Sequence, residues 1–294
     1  MESLTTPLLT GASTGAILLV AALGLTLTFG QMGVINMAHG EFLMAGAYCA
    51  YLTQQVVTNT TASLFLAIPI AFVIAGLLGL ALEAGIIRWM YHRPLDTLLV
   101  TVGVSLVLQQ LAKDLFGAQG DSVFTPNWLD GYVTILGYNW PYVRIFTIAL
   151  ALAGLAGLAA LLKYTSFGRQ IRATVQNRDL AESVGVATRS VDRITFFVGS
   201  GLAGLGGVAV ALSGGTNPNL GTTWIIPAFL VVVAGGLGQL RGTVIAAFTV
   251  GILIAFLTRW FNASMAQVIL FALVVVFLQI RPQGLFTVRT RGLA

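Results

Sequence analysis

The sequence predicts an all-α polytopic membrane protein, a bundle of eight or nine transmembrane helices of which one is re-entrant or broken. Three observations predict it. Charged residues make up only 9% of the chain and apolar residues 57%, where a soluble domain carries about 25% charge. The mean hydropathy is +0.90. Several windows of about twenty residues carry no charge, which is what a helix needs to cross about 30 Å of hydrocarbon.

The elements follow in chain order. Apolar segments run over roughly 12–30, 33–55, 63–87, 98–116, 142–162, 191–213, 224–238, 243–258 and 265–280. The first reads as a permanent span rather than a cleavable signal, because a signal wants a basic start and the first Lys or Arg is Arg88. The segment 224–238 is short, so it is the one expected to be re-entrant. The single cysteine, Cys49, lies in an apolar stretch and reads as a small buried hydrophobe. No Cys/His spacing suggests a metal site. Glycine is abundant, with 34 residues and the run "GSGLAGLGG" at 199–207. In a bilayer small residues let helix backbones approach, so this run predicts a compact bundle. The glycine-rich "GGLGQLRG" at 235–242 lies between two apolar segments and reads as a tight turn. All of 1–294 forms one transmembrane domain.

The loops give an orientation. Arg88, Arg93, Lys163, Arg169, Arg172, Arg178, Arg189, Arg193, Arg241, Arg281, Arg289 and Arg291 fall on one side, and Lys113, Arg144 and Arg259 on the other. Under the positive-inside rule this bias puts loops 88–97 and 163–193 and the C-terminus in the cytoplasm, and the N-terminus and loop 117–141 outside. The net charge of +5 is thus a matter of topology, with no basic patch for nucleic acid. The outer loop holds Trp128, Tyr132, Tyr138 and Trp140, with Tyr142 following it. These suit an interfacial aromatic belt or a docking surface for an external partner. Two N-x-[ST] sequons, at Asn59 and Asn262, fall at outer ends and read as chance.

The loop 163–193 is far more polar than the rest. From Gly168 to Gly185 it can form one short amphipathic helix, with Ile171, Val175, Leu180 and Val184 on the apolar face. Arg172, Arg178, Asp179 and Glu182 are then free to face water. Gly185 suits the helix end, since glycine takes the left-handed conformation without strain. Such a helix is either a solvated connector or a coupling helix that fits a partner's groove. In the second reading Asn177, Arg178, Asp179, Glu182 and Gly185 make the contact. Neither Lys113 nor Lys163 sits in a phosphate-binding P-loop, so ATP, if used, is bound by a separate subunit and this chain carries no cofactor.

One stretch resists the apolar reading. "GQMGVINMAHGEFLMAGAY", residues 30–48, places Asn36, His39 and Glu41 inside a membrane segment. Polar groups there are expensive and by default mark a solute path. Asn36, His39 and Gly40 stand at i, i+3, i+4 and share one helix face. Glu41 is two residues from His39, about 200° round an ideal helix. Either one of these two is structural, or the helix breaks near Gly40. Unwound backbone at membrane depth is tolerated only where protein or water satisfies it, and transporters bind solutes at such breaks. Gln109 and Gln110 add amides that line the same path or join helices. Glu83 pairs with Arg88 or is interfacial. No nucleophile, metal set or cofactor motif accompanies His39 and Glu41, so the chain is not read as an enzyme.

These residues also carry a resemblance. "GQMGVINMAHGEFLMAGAY", the "NRDLAESVGV" loop, "FLVVVAGGLGQLRGTVIAA" (229–247) and "RPQGLF" (281–286) resemble the permease subunits of bacterial ABC importers for branched-chain amino acids, over about residues 12–288. "RPLDTLLVTVGVSLVLQQL" (93–111), "FGAQG" (116–120) and "PNWLDG" (126–131) look like the urea-importing branch. The resemblance implies a bacterial cytoplasmic membrane location and a second, related permease subunit. It also implies two cytoplasmic ATPases that bind the ATP, and an extracytoplasmic solute-binding protein. The implied cargo is urea. Glu41 would accept two parallel N–H bonds, and Asn36, Gln109 or Gln110 would donate to the carbonyl. A zwitterionic amino acid wants a cation or a helix N-terminus for its carboxylate, and the first 87 residues hold no Lys or Arg. The alternatives are the same machine carrying branched-chain amino acids, and a passive urea or amide channel.

Overall fold

A computed structural model describes residues 2–91, 93–135 and 137–286. Each of the nine apolar segments contains a helix: α1 (Glu2–Met32), α2 (His39–Val56), α3 (Thr60–Gly85), α4 (Pro94–Phe116), α5 (Tyr142–Tyr164), α8 (Thr188–Gly214), α9 (Leu220–Gly235), α10 (Leu240–Trp260) and α11 (Ala263–Ile280). Two short helices, α6 (Ser166–Gln176) and α7 (Arg178–Ser183), lie between α5 and α8. Among the described residues, seven helices are long and apolar enough to cross a membrane, and α2 and α9 are not in that set. The helix α9 has only 16 residues. The helix α2 carries His39, Glu41, Gln54 and Gln55.

Small residues decide how these helices meet. The helix α8 packs on α1, α2 and α3, and its run Gly199, Gly201, Gly204, Gly206 and Gly207 is buried. A β-carbon at Gly46 would strike the backbone of Gly204, and one at Gly207 the backbone of Leu43 and Ala47. Attraction between helices in a bilayer comes from such close packing rather than from apolar burial. Outward faces carry exposed Phe65, Leu99, Leu106 and Val276, as lipid contact requires.

Two ends can be told apart. At one, Arg144 Nη1 donates to Thr10 Oγ1 at 2.7 Å, Gln54 Nε2 donates to the Phe124 carbonyl at 2.7 Å, and Asp121 bridges to Thr216. The start of α1 and loop 117–141 therefore share an end. At the other, the α9–α10 turn receives the 281–286 tail, where Leu285 N–H donates to Ala234 O at 2.9 Å. Gly236 and Gly238 make that turn with positive φ, in agreement with the sequence. Arg289 and Arg291 lie outside the described residues.

Two local features are added to the sequence reading and two expectations change. The outer loop is partly a hairpin, with β1 (Tyr132–Ile135) antiparallel to β2 (Tyr138–Pro141). Asn59 and Asn262 are helix caps: Thr61 and Ala62 N–H donate to Asn59 Oδ1, and Met265 N–H donates to Asn262 Oδ1. Glu83 pairs with Arg193 at 3.7 Å rather than with Arg88, and accepts from the Tyr91 hydroxyl at 2.7 Å. The single helix expected over Gly168–Gly185 is two. Asn177 is extended at φ −159, and its side chain accepts from Leu180 N–H at 2.9 Å. That cap starts α7 as a separate helix. Gly185, at φ +90, ends it as expected.

Candidate functional site

The break in the polar segment comes before Gly40, not at it. The helix α1 stops at Met32, and Gly33 turns the chain with φ +64, where a side chain would be strained. Residues 33–38 then run without helix until α2 starts at His39. A threonine holds this unwound stretch. Met37 N–H donates to Thr101 Oγ1 at 3.0 Å, while the Thr101 hydroxyl donates to the carbonyls of its own helix α4. Asn36 lies in this stretch at 2% exposure, and neither polar atom of its side chain has a partner.

His39 and Glu41 leave α2 in different directions, as their spacing requires. His39 Nε2 donates to the Ala21 carbonyl of α1 at 3.1 Å, which fixes Nε2 as the protonated nitrogen. Its ring meets Phe42 edge-on. Glu41, at 1% exposure, points toward α4 and α9. Its Oε1 accepts from Ser105 Oγ and Gln109 Nε2, both at 2.8 Å. Gln109 Nε2 is also 3.0 Å from Thr222 Oγ1. Glu41 Oε2 has no partner.

The first turns of α2 and α9 meet at this carboxylate. A β-carbon at Gly40 would lie 2.9 Å from Ile225 Cβ, and one at Gly221 would lie 2.5 Å from Glu41 Cδ. Only glycine permits this approach. Helix N-termini present unpaired N–H groups and a partial positive charge. So the Glu41 carboxylate, with a vacant oxygen, lies at the positive ends of two helix dipoles, α2 and α9, in a region with Ser105, Gln109 and Thr222 hydroxyl and amide groups. That set can hold a group of either sign.

The structure brings Gly40, Glu41 and Gln109 together. Asn36 stands in the segment leading to them, and His39 ties α2 to α1. Gln110 is turned away: it is exposed, and its Nε2 donates to Asp114 at 2.8 Å. Sequence reasoning missed Ser105, Thr222 and Gly221. Ser105 is four residues before Gln109, so a same-face pair was readable on α4. Nothing in the sequence linked Thr222 or Gly221 to Glu41.

The loop residues divide in the same way. Arg178 is half-buried and paired rather than free in water. Its Nη2 donates to Asp192 Oδ2 at 2.6 Å, its Nε is 3.6 Å from Glu182, and its guanidinium lies over Tyr91. Burial works against the Arg178 charge, but Asp192 outweighs it and holds the guanidinium above its ordinary range. Burial first, and the bond to Glu83 second, push the Tyr91 phenol well up. Glu182 also accepts from the Thr188 hydroxyl. Asp192 is fully buried, and its Oδ1 accepts from Gln31 Nε2 of α1 at 2.8 Å. Thr195 donates to Gln31 Oε1. A chain of bonds thus runs from α7 through Asp192 to the last turn of α1, beside Gly33. Asp179 is exposed. On the loop's expected apolar face Ile171 is buried, while Val175, Leu180 and Val184 are exposed.

Comparison with known proteins gives this arrangement a family. The high-affinity branched-chain amino acid transport system permease protein BraD of Pseudomonas aeruginosa is 25% identical over 293 residues, covering 95% of this chain and 94% of the relative. The permease LivH of a system of the same description in Escherichia coli K12 is 26% identical over 285 residues, covering 94% and 92%. An autoinducer 2 import system permease, LsrC of Photorhabdus luminescens, is 27% identical over 223 residues, covering 71% and 65%. No solved structure matches the chain. None of these relatives is described as carrying urea, so the narrower resemblance to the urea branch gains no support. The family model for the branched-chain amino acid transport system permease component matches residues 8–278, and the chain belongs to that family of membrane-spanning permeases.

Proposed function

We propose that this chain is one permease subunit of an ATP-driven ABC importer in the cytoplasmic membrane, and that it carries a branched-chain amino acid. The reading is carried by one observation, the meeting of the α2 and α9 N-termini at the Glu41 carboxylate. A zwitterion needs opposite charges at its two ends. The vacant Glu41 Oε2 suits the ammonium, and the two helix N-termini suit the carboxylate. The cation that seemed to be missing from the sequence is not needed. Urea has no charge to match to the helix termini, and the full-length relatives named above are described as amino acid permeases.

Coupling in this proposal runs from the loop. Exposed Val175, Leu180 and Val184 dock into a groove of an ATPase subunit, with Asp179 at its rim. Motion of α7 passes through Arg178, Asp192 and Gln31 to the Gly33 turn, and so to the unwound segment 33–38. A second, related permease completes the pore, two ATPases sit at the basic end, and an external binding protein delivers substrate to the hairpin end. A passive channel has no use for such a linkage.

The test is uptake into proteoliposomes holding the chain with its co-purifying partners. Labelled leucine and labelled urea are compared with and without ATP on the loop side. ATP-dependent accumulation of leucine is expected. Accumulation of urea in its place overturns the substrate, and equilibration without ATP overturns the machine.

A further inference from the structure

We infer that the basic end of the bundle holds a site for the phosphate headgroup of an anionic phospholipid, in a cavity of about 380 Å³ walled by Arg88, Trp89, Arg189 and Arg193. The inference is independent of which solute the permease carries. The cavity lies between the end of α3, the start of α8 and α7, and it is lined by four arginines, the carboxylates of Glu83 and Glu182, Tyr91 and Trp89. Two of them are engaged. Arg193 faces Glu83 at 3.7 Å, and Arg178 is held by Asp192 and Glu182. Arg88 and Arg189 have no carboxylate within ion-pair distance among the described residues. Arg88 instead lies 4.5 Å above the Trp89 ring. Arg88 and Arg189, in no ion pair among the described residues, match a phosphate, which accepts bidentate bonds from the arginine fork, and the four arginines outnumber the two carboxylates of the lining.

The surroundings select a lipid over a free phosphate. Trp89 is 71% exposed and closes a helix that crosses the membrane. Such a ring belongs at the headgroup level. On the helices that border the cavity, Val73 and Leu77 of α3 and Ile194 of α8 are exposed, and acyl chains can lie along them. The basic loops put this end at the cytoplasmic leaflet, where anionic lipids concentrate and where basic pockets between helices bind their headgroups.

The experiment is native mass spectrometry of the purified protein carried from mixed micelles of phosphatidylglycerol and phosphatidylcholine. Wild type is expected to retain phosphatidylglycerol in preference to phosphatidylcholine. The double variant Arg88→Gln/Arg189→Gln is expected to lose roughly tenfold or more of that preference, given two basic residues near the surface. Arg88→Lys/Arg189→Lys keeps the charge and is expected to retain most of it, which separates loss of binding from loss of fold. Millimolar inorganic phosphate is expected not to displace the lipid. Equal retention of both lipids by wild type overturns the site. So does unchanged retention in the glutamine variant, or complete displacement by phosphate. If wild type binds no phosphatidylglycerol and the glutamine variant loses its co-purifying ATPase, the cavity belongs to a protein partner and the lipid assignment fails.

Discussion

Glu41 has one carboxylate oxygen bonded twice and the other not at all, at 1% exposure. An unmatched buried acceptor is unfavourable by about 1–3 kcal/mol, and a substrate ammonium would remove that penalty. Glu41→Gln keeps an oxygen for Ser105 and Gln109 but loses the charge. ATP-driven leucine uptake should fall about ten- to hundredfold, the weight of a hydrogen bond to a charged group, with the protein still inserted. Uptake within twofold of wild type would remove Glu41 from the path. Asp192 is the second residue on which much depends. Asp192→Asn should lower stability by about 1–3 kcal/mol, less than for a fully enclosed pair because Arg178 keeps 27% exposure. A double-mutant cycle with Arg178→Met should show a coupling energy, and strict additivity in thermal melts would deny the pairing. Asn36, His39 and Glu41 were legible because polar side chains stand out in an apolar run. The Arg178–Asp192 pair was not. Both residues sit in a polar stretch where a charge ordinarily faces water, and only the fold brings Asp192 under α7.

At the scale of elements, hydropathy located all nine long helices, because in a bilayer the apolar run and the helix coincide. It did not reveal the unwound 33–38, since Val34 and Ile35 continue the apolar run through the break. The hairpin had a signal in "YVTILGYNWPY", where β-branched and aromatic residues flank Gly137. The same aromatic residues also suit an interfacial belt, which hid it. The meeting of α2 and α9 makes its own prediction. Gly221→Ala should push α9 off the Glu41 carboxylate and lower stability by about 1–3 kcal/mol, as overpacking does. Leucine uptake should fall with it. A melting temperature and uptake equal to wild type would mean that the two helices do not touch there. Asn177→Ala removes the cap that separates α6 from α7, worth about 1 kcal/mol. More ATP should then be hydrolysed per leucine moved, because α7 loses its fixed start. An unchanged ratio would show that the cap has no part in coupling.

Across the whole molecule, α1 joins the region around Glu41 to the α5–α8 loop. Its last turn takes the bond from Asp192, and the Gly33 turn follows it directly. The two helices that fall outside the membrane-crossing set, α2 and α9, are the two that meet at Glu41. Of the three motifs that suggested urea, "FGAQG" ends α4 and "PNWLDG" sits in the outer loop, both at the hairpin end, whereas the third, residues 93–111, carries Ser105 and Gln109 of the Glu41 cluster. The most direct measurement compares two neighbours, Gln109→Leu and Gln110→Leu, in ATP-driven leucine uptake. Gln109 bonds Glu41 and Gln110 faces outward. If solute passes at the α2–α9 junction, Gln109→Leu reduces uptake about tenfold or more, the loss of a bond to a charged group, and Gln110→Leu leaves it within about twofold, the range of a surface change. Equal effects, or the larger loss at Gln110, would place the path elsewhere.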